Sequence, residues 1–308
     1  MPTRRQLPHP FPKGYGAAGR YGGTGDMSVP SRHCRWIIPV VSILSAIVVS
    51  FAGYCLWHLS TPIPNRPEHL QKIVMNPMSP VKSQGHTQFC WAYSMLAAIE
   101  TEHFRQGDSL NLPIQPVAEA WAAEDAMPAS GRAMGQTLLN MIERHGIYRE
   151  VCSPTDFVPL CSTKREPYNQ WVVLDLPDNW EHNRFLNLHP DTLLSLAIRA
   201  VSAHRGVCWE GDISERGFSF RQGIAVTTLP PLLLHVKSLL RPPTDDHCMA
   251  IVGIVRDDDG TRYFVMKNSW GTNNPDGGLM LMSRDYFRWN TVALYLPRDL
   301  VRHDQVQE

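Results

Sequence analysis

Three side chains in this sequence have the types and local settings needed for acyl-transfer chemistry. Cys90 lies in PVKSQGHTQFCWAYSMLAAIE (80–100), where a polar loop turns into an apolar-periodic helix. Free backbone N–H groups and the helix dipole at such a junction favour a thiolate. A thiolate is a nucleophile, and a neighbouring imidazole both stabilises it and protonates a leaving amine. His247 opens the apolar run of DDHCMAIVGI (245–254). Strand alternation sends its side chain to one face and that of Cys248 to the other. Asn268, in YFVMKNSWG (263–271), falls on the next strand. There its amide oxygen can accept from an imidazole N–H and hold the ring aimed at sulfur.

The elements that must position these residues can be read from periodicity. Cys90 to about Arg105 reads as a helix with Trp91, Met95, Ala98 and Ile99 on one face. Val117–Met127 and Arg132–His145 read as further helices, the second stopped by Gly146, and Asp191–His204 as another, stopped at Gly206. The later chain is β-rich. Met249–Val255 and Arg262–Met266 flank Asp259-Gly260, a strong hairpin signal, and Gly278–Met282 and Val292–Leu296 read as strands. Helices first and strands later indicate an α+β fold with two lobes and a cleft between them.

The 308 residues allow one or two domains. With 43% hydrophobic and 19% charged residues the chain is globular, and a net charge of +0 gives no overall case for nucleic acid. Seven cysteines without a C-x-x-C pair exclude the usual zinc-ribbon and thioredoxin patterns. The neutrality is a cancellation. Residues 1–35 hold six Lys or Arg against Asp26 alone, in a basic, glycine-rich tail expected to be disordered. Trp36–Trp57 is then 22 residues without a charge, enough to cross a bilayer. The segment 36–58 is therefore read as a transmembrane signal-anchor, with a signal peptide cleaved near Ala52, on a chain starting at Met27, as the alternative. Both place the bulk of the chain outside the cytoplasm, in the periplasm or extracellular space. Residues 59–75, with Pro62, Pro64 and Pro67, read as a stiff linker, and 76–308 as the folded domain.

On these motifs the chain resembles the papain-like cysteine peptidases, more closely their bleomycin hydrolase and bacterial aminopeptidase C branch. The likeness spans 78–300, with looser matches at Glu143–Ile147, Gly206–Asp212 and Glu215–Ser219. It implies a papain-like fold: a helical lobe with a central cysteine-bearing helix, and a β-barrel-like lobe. It implies hydrolysis of peptide bonds in peptide or protein substrates, with no cofactor and no metal. Cys90, His247 and Asn268 take the catalytic positions, and Gln84 matches the oxyanion-hole glutamine, acting with the Cys90 backbone N–H. Trp270 matches the tryptophan that shields the His–Asn bond from water, with Trp91 and Gly271 as supporting positions. In the branch resembled, the protein's own C-terminus blocks the cleft, which here makes Leu300–Glu308 a candidate block and cleavage at a chain end an expectation.

The sequence also departs from that pattern. Thr87-Gln88-Phe89 precedes the nucleophile in place of Cys-Gly-Ser, and Cys248 replaces the small residue usual after the histidine. The spacing from Cys90 to His247 and Asn268 exceeds the usual ~130–150 residues, so loops are inserted. Little chain lies between the apolar run and Pro80 for a long inhibitory propeptide. The shortness of the exported part puts the branch's hexameric cage in doubt, and the oligomeric state stays open. Cys248 reads as a buried strand thiol. A metal site from His247, Cys248 and Cys208 lacks ligand spacing. Cys152 and Cys161 either pair as a disulfide or stay free. Asp245 and Asp246 read as solvated loop charges able to meet a substrate amine. Two other functions fit the same residues: a catalytically silent peptide-binding module, and transglutaminase-like acyl transfer, which the asparagine in Asn-Ser-Trp disfavours.

Overall fold

In the computed structural model, residues 34–60, 62–124, 128, 130–241 and 243–301 are described. The basic tail, Met27, the end of the 117–127 stretch and nearly all of the Leu300–Glu308 segment lie outside them.

The apolar run forms a helix of its own, α1 (Cys34–Ser60). Its Pro39–Trp57 window has a mean hydropathy of 2.1 and none of it is buried. By length and composition it suits an anchor or a signal sequence.

The remaining elements run β1 (Gln71–Met75), α2 (Cys90–Gln106), α3 (Gln115–Ala122), α4 (Gly135–His145), β2 (Phe157–Cys161), β3 (Gln170–Val173), β4 (Arg184–Asn187), α5 (Pro190–Ser202), β5 (Cys208–Gly211), β6 (Phe218–Ser219), β7 (Ile224–Ala225), α6 (Pro231–Leu240), β8 (His247–Arg256), β9 (Arg262–Lys267), β10 (Leu279–Ser283), α7 (Arg284–Asn290) and β11 (Thr291–Pro297). The fold is mixed α and β, as expected, but strands do not wait for the helices to finish. β1 occupies the end of the stretch read as linker, and β2, β3 and β4 precede α5. Of the strands not anticipated, β2 and β5 are buried along their whole length, which removes the alternation that marks a half-exposed strand. α3 ends at Ala122, and α4 begins at Gly135 rather than Arg132, because Met134 is still extended.

The sheet order is β3-β4-β2-β11-β5-β8-β9-β10-β7-β6, with β1 also on β8. β3 and β6 end this strand path, and β8 changes neighbour partway along its length. Its first residues pair with β5, Glu210 opposite Cys248 and Gly211 opposite His247, and its last pair with β1. A register shift between Ile251 and Gly253 in the β8–β9 ladder accompanies this change of neighbour. The β8–β9 turn falls at the Asp259-Gly260 signal, with Gly260 at φ +82°.

α2 packs along β8. Its predicted face is buried, with Trp91, Met95, Ala98 and Ile99 each 1% exposed or less. It ends at Gly107, in the left-handed conformation that stops a helix readily. Gly206 lets the chain entering β5 cross α2 closely, since a Cβ there would meet the Ala98 carbonyl oxygen at 2.1 Å. α2, α3 and α4 enclose one apolar cluster, and α5, α7 and the sheet another.

A buried carboxylate ties these parts together. Glu100, on α2, accepts from Lys82 Nζ at 2.8 Å, from the Leu112 backbone N–H at 2.7 Å and from Ser79 Oγ at 2.5 Å. Lys267, at the end of β9, donates to Ser79 Oγ at 2.7 Å and lies 3.7 Å from Glu100. Burial pulls the Lys267 ammonium down to about 8 despite that partner. Glu100→Ala removes the acceptor and leaves these donors buried. The expected loss is on the order of 3–5 kcal/mol of unfolding free energy, measured by urea denaturation; a loss under 1 kcal/mol contradicts this account.

Candidate active site

Cys90 is the first residue of α2, preceded by Phe89 as N-cap with no side-chain cap, so the first-turn N–H groups are not satisfied by a capping side chain. The nucleophile candidate thus sits at the positive end of a 17-residue helix, 8% exposed. Its thiol is held well below the ordinary range. The S–H of Cys248 is the largest cause, and the His247 imidazole adds hydrogen bonding and charge, while burial works in the opposite direction.

His247 is 2% exposed, and its Nε2 lies 2.7 Å from Asn268 Oδ1, the N–H donating to the amide oxygen. Asn268 Oδ1 also accepts from the Ser269 backbone N–H at 2.7 Å, which fixes the amide. The Trp270 ring lies 4.5 Å from the imidazole at an interplanar angle of 35°, and Phe218 and Phe220 pack edge-on against its other surroundings. Trp270 therefore covers His247 with apolar surface. Gly271, at φ +77°, turns the chain away so that Ser83 and Trp270 form a bridge.

Gln84 is brought to the same place by its backbone, whose N–H donates to the Ser269 carbonyl at 2.7 Å. Its side-chain carbonyl accepts from Ser269 Oγ at 2.6 Å and its amide donates to the Thr87 carbonyl at 2.7 Å. Its second amide N–H makes no hydrogen bond among the described residues. Trp91 is a different case: it is fully buried against Phe89 and Trp121, and its support for Cys90 is packing of the helix start.

Cys248 is the expected buried strand thiol, yet it is also part of the site. It meets Cys90 on one side and donates to Glu210 Oε1 at 3.3 Å on the other. Glu210 also accepts from the Gly135 N–H at the start of α4 and from Tyr295 Oη at 3.0 Å. Burial lifts its carboxyl to about 7 against those three donors. Sequence reasoning missed Glu210, whose one signal was a glutamate inside an otherwise apolar four-residue stretch. Asp245 is also corrected. It was expected to be a solvated loop charge, but it is 8% exposed, and burial pushes its carboxyl well up, with the like charges of Glu210 and Asp178 adding to the effect.

Cys152 and Cys161 are free and separately engaged, Cys152 with the Ser153 carbonyl at 3.3 Å and Cys161 with Asn187 Oδ1 at 3.6 Å. Burial lifts both thiols to about 12. The disfavoured set of His247, Cys248 and Cys208 does not meet as a metal cluster among the described residues; the carboxylate and thiol group that does meet is Glu210, Asp245 and Cys248.

The profile of the papain family of cysteine proteases matches residues 67–294, so the chain belongs to that family. Similar proteins include the cysteine endopeptidase Rep1 of Oryza sativa subsp. japonica, 26% identical over 67% of this chain and 50% of that protein. A cathepsin L-like peptidase of Aedes aegypti is 25% identical over 68% of this chain and 56% of that protein. The chain thus spans about half the length of these relatives. Among solved structures, PepW from Lactobacillus rhamnosis aligns with a TM-score of 0.49 at 14% identity, over 76% of this chain and 83% of that one.

The arrangement makes Cys90 distinguishable from the other described thiols. It is expected to react with a neutral alkylating agent well below pH 8.5, where an ordinary thiol ionises, while Cys152, Cys161, Cys208 and Cys248 react slowly. Alkylation rate against pH, with the modified residue read by mass spectrometry, checks this. Labelling of Cys90 no faster than a free thiol at pH 6 counts against it.

Proposed function

We propose that the chain is a cysteine peptidase acting through a Cys90–His247 pair and an acyl-enzyme. The observation that carries this reading is the His247–Asn268 hydrogen bond of 2.7 Å, roofed by Trp270, beside a thiol at a helix N-terminus. The Cys90 thiolate attacks the carbonyl carbon of the scissile amide, and the electron pair moves to oxygen. The Cys90 backbone N–H and the remaining Gln84 amide N–H receive that oxyanion. The imidazolium of His247 gives its proton to the departing amine, leaving a thioester on Cys90. Water then adds to the thioester as His247 takes its proton, and the acid leaves as thiolate and imidazolium are restored. Asn268 keeps the ring aimed at sulfur throughout. The printed names of the rice and mosquito relatives, an endopeptidase and a cathepsin L-like peptidase, support cleavage of internal bonds over trimming at chain ends.

α1 serves as a membrane anchor in this proposal, with the catalytic domain outside the cytoplasm. The support is the hydropathy of Pro39–Trp57 and the one-sided placement of Lys and Arg before Trp36.

Kinetics of point variants test the mechanism. Cys90→Ala is expected to abolish turnover with the fold kept, and His247→Ala to abolish turnover and low-pH alkylation together. Asn268→Ala leaves a weakened enzyme, since the amide orients and does not move protons. Gln84→Ala lowers kcat by roughly ten- to a thousandfold. Activity in Cys90→Ala equal to that of the parent protein refutes the mechanism; a folded chain that binds peptides and cleaves none supports a silent binding module instead. For the anchor, a reporter fused after Glu308 is expected to be active only outside the cytoplasm, and a cytoplasmic signal refutes that topology.

A further inference from the structure

The acyl-transfer steps use the Cys90 sulfur, the His247 ring and the amides of Asn268 and Gln84, and leave one reactive group beside them idle. Cys248 is 2% exposed, and its S–H donates to the Cys90 sulfur. Both residues belong to the apolar cluster enclosed by α2, α3 and α4. Strand pairing sets Glu210 opposite Cys248, and Glu210 Oε1 accepts from the Cys248 thiol at 3.3 Å. The second sulfur is thus held between a carboxyl and Cys90. The other described thiols of the domain are placed differently. Cys152 and Cys161 face the Ser153 carbonyl and Asn187 Oδ1, and Cys208 sits opposite Ala250 in the β5–β8 ladder.

The two sulfurs in contact differ as an attacking and a resolving cysteine must. Cys90 stands at the uncapped start of a 17-residue helix, and its thiol is held well below the ordinary range by Cys248 and His247. Burial pushes the Cys248 thiol well up, with the hydrogen bond to Cys90 and the charge of Glu210 adding to the effect. A small oxidant therefore meets a thiolate at Cys90 and a protonated thiol at Cys248, so Cys90 reacts first. Any sulfenic acid formed on Cys90 then has a thiol already in contact with it. Such a neighbour decides the outcome, because a sulfenic acid with a thiol at hand condenses to a disulfide, and one without runs on to sulfinic acid.

We propose that Cys90 and Cys248 are a paired modification site, closing to a reversible disulfide under hydrogen peroxide that switches Cys90 off as a nucleophile and protects it from deeper oxidation. The inference goes beyond the peptidase reading, since the bond forms whether or not the chain cleaves peptides. The Cys90 thiolate attacks one peroxide oxygen, the O–O bond breaks, and the departing hydroxide takes the His247 imidazolium proton to become water. Cys90 is then a sulfenic acid. The Cys248 sulfur attacks it while its proton passes to Glu210 Oε1. The S–S bond forms, the S–O bond breaks, and the hydroxyl leaves with that proton as a second water. Each sulfur has lost one electron and the peroxide has gained both. The disulfide cannot attack an acyl carbon, and a dithiol returns both thiols by exchange. The extracytoplasmic placement proposed for the domain supplies an oxidising setting in which such a bond persists.

The full chain, reduced and freed of reductant, is treated with hydrogen peroxide, its remaining thiols are alkylated, and the digest is read by mass spectrometry. The expected product is the Cys90 peptide joined to the Cys248 peptide, lighter than the pair by the two thiol hydrogens. It is expected to be at least tenfold more abundant than any other cysteine pair and to disappear with dithiothreitol. Cys248→Ala, which restores the small residue usual at this position, is expected to carry Cys90 to sulfinic acid at the same dose, with no recovery of free Cys90 on reduction. Cys248→Ser, closer in size, is expected to do the same and keeps the test standing should alanine loosen the cluster. Peptide cleavage by the parent protein is expected to fall at least tenfold on oxidation and to return with dithiothreitol, and in both variants not to return. The proposal is overturned by Cys90 left unoxidised, by sulfinic acid on Cys90 with no link to Cys248, by a link to Cys208 in its place, or by equal recovery of free Cys90 in parent and variants. Cleavage by the untreated protein keeps the peptidase reading in place in each of these cases. A Cys90–Cys248 link in a protein that cleaves no peptide supports the proposal and overturns the peptidase reading instead.

Discussion

The buried carboxylate of Glu100 is the interaction on which the site's geometry depends. It sits ten residues after Cys90 on the same helix, about 15 Å along the axis. It gathers Lys82 and Ser79 from the loop that leads to Gln84, the backbone of Leu112, and through Ser79 the Lys267 that directly precedes Asn268. Three chain segments far apart in sequence are thereby held by one charged group where water cannot screen it. A buried charge tolerates little displacement, because each lost donor leaves it uncompensated. That stiffness carries through α2 to Cys90 and through Lys267 to Asn268, two residues of the candidate site.

The second constraint is the thiol after the histidine. A small residue at this position would leave Cys90 to His247 and the helix terminus alone. Here the S–H of Cys248 faces two acceptors, the Cys90 sulfur and Glu210 Oε1, and carries one proton to offer. The donor thus links Cys90 to a carboxyl that burial has lifted to about 7, and that carboxyl in turn closes the start of α4 through Gly135. The helical elements and the sheet are therefore joined at Cys90 by polar groups, in a region where the rest of the cluster is apolar.

Much of the site was legible from residue order because each part has a local signal. A loop-to-helix change marks Cys90, an apolar run marks the strand of His247, and Asn-Ser-Trp-Gly marks the turn that lays Trp270 over the imidazole. The helix from Cys90 was correct to within a residue of its end, and the β8–β9 hairpin fell at its Asp-Gly pair. The middle of the chain was less legible. β2 and β5 are short and buried throughout, so period-2 alternation is absent, and β2 even contains Pro159.

The sequence by itself determined the candidate thiol, imidazole and amide, their order, and a segment apolar enough for a membrane, because these are properties of residue type and near-neighbour spacing. Tertiary structure alone decided that Cys248, Glu210, Tyr295 and Gly135 form one polar chain behind Cys90, that Asp245 is buried with a bare carboxylate oxygen, and that Arg132 joins the Asp245 backbone carbonyl to Asp178. The physical reason is that burial and pairing depend on which strands become neighbours. β8 changes partner from β5 to β1 partway along its length, and no local periodicity encodes that exchange.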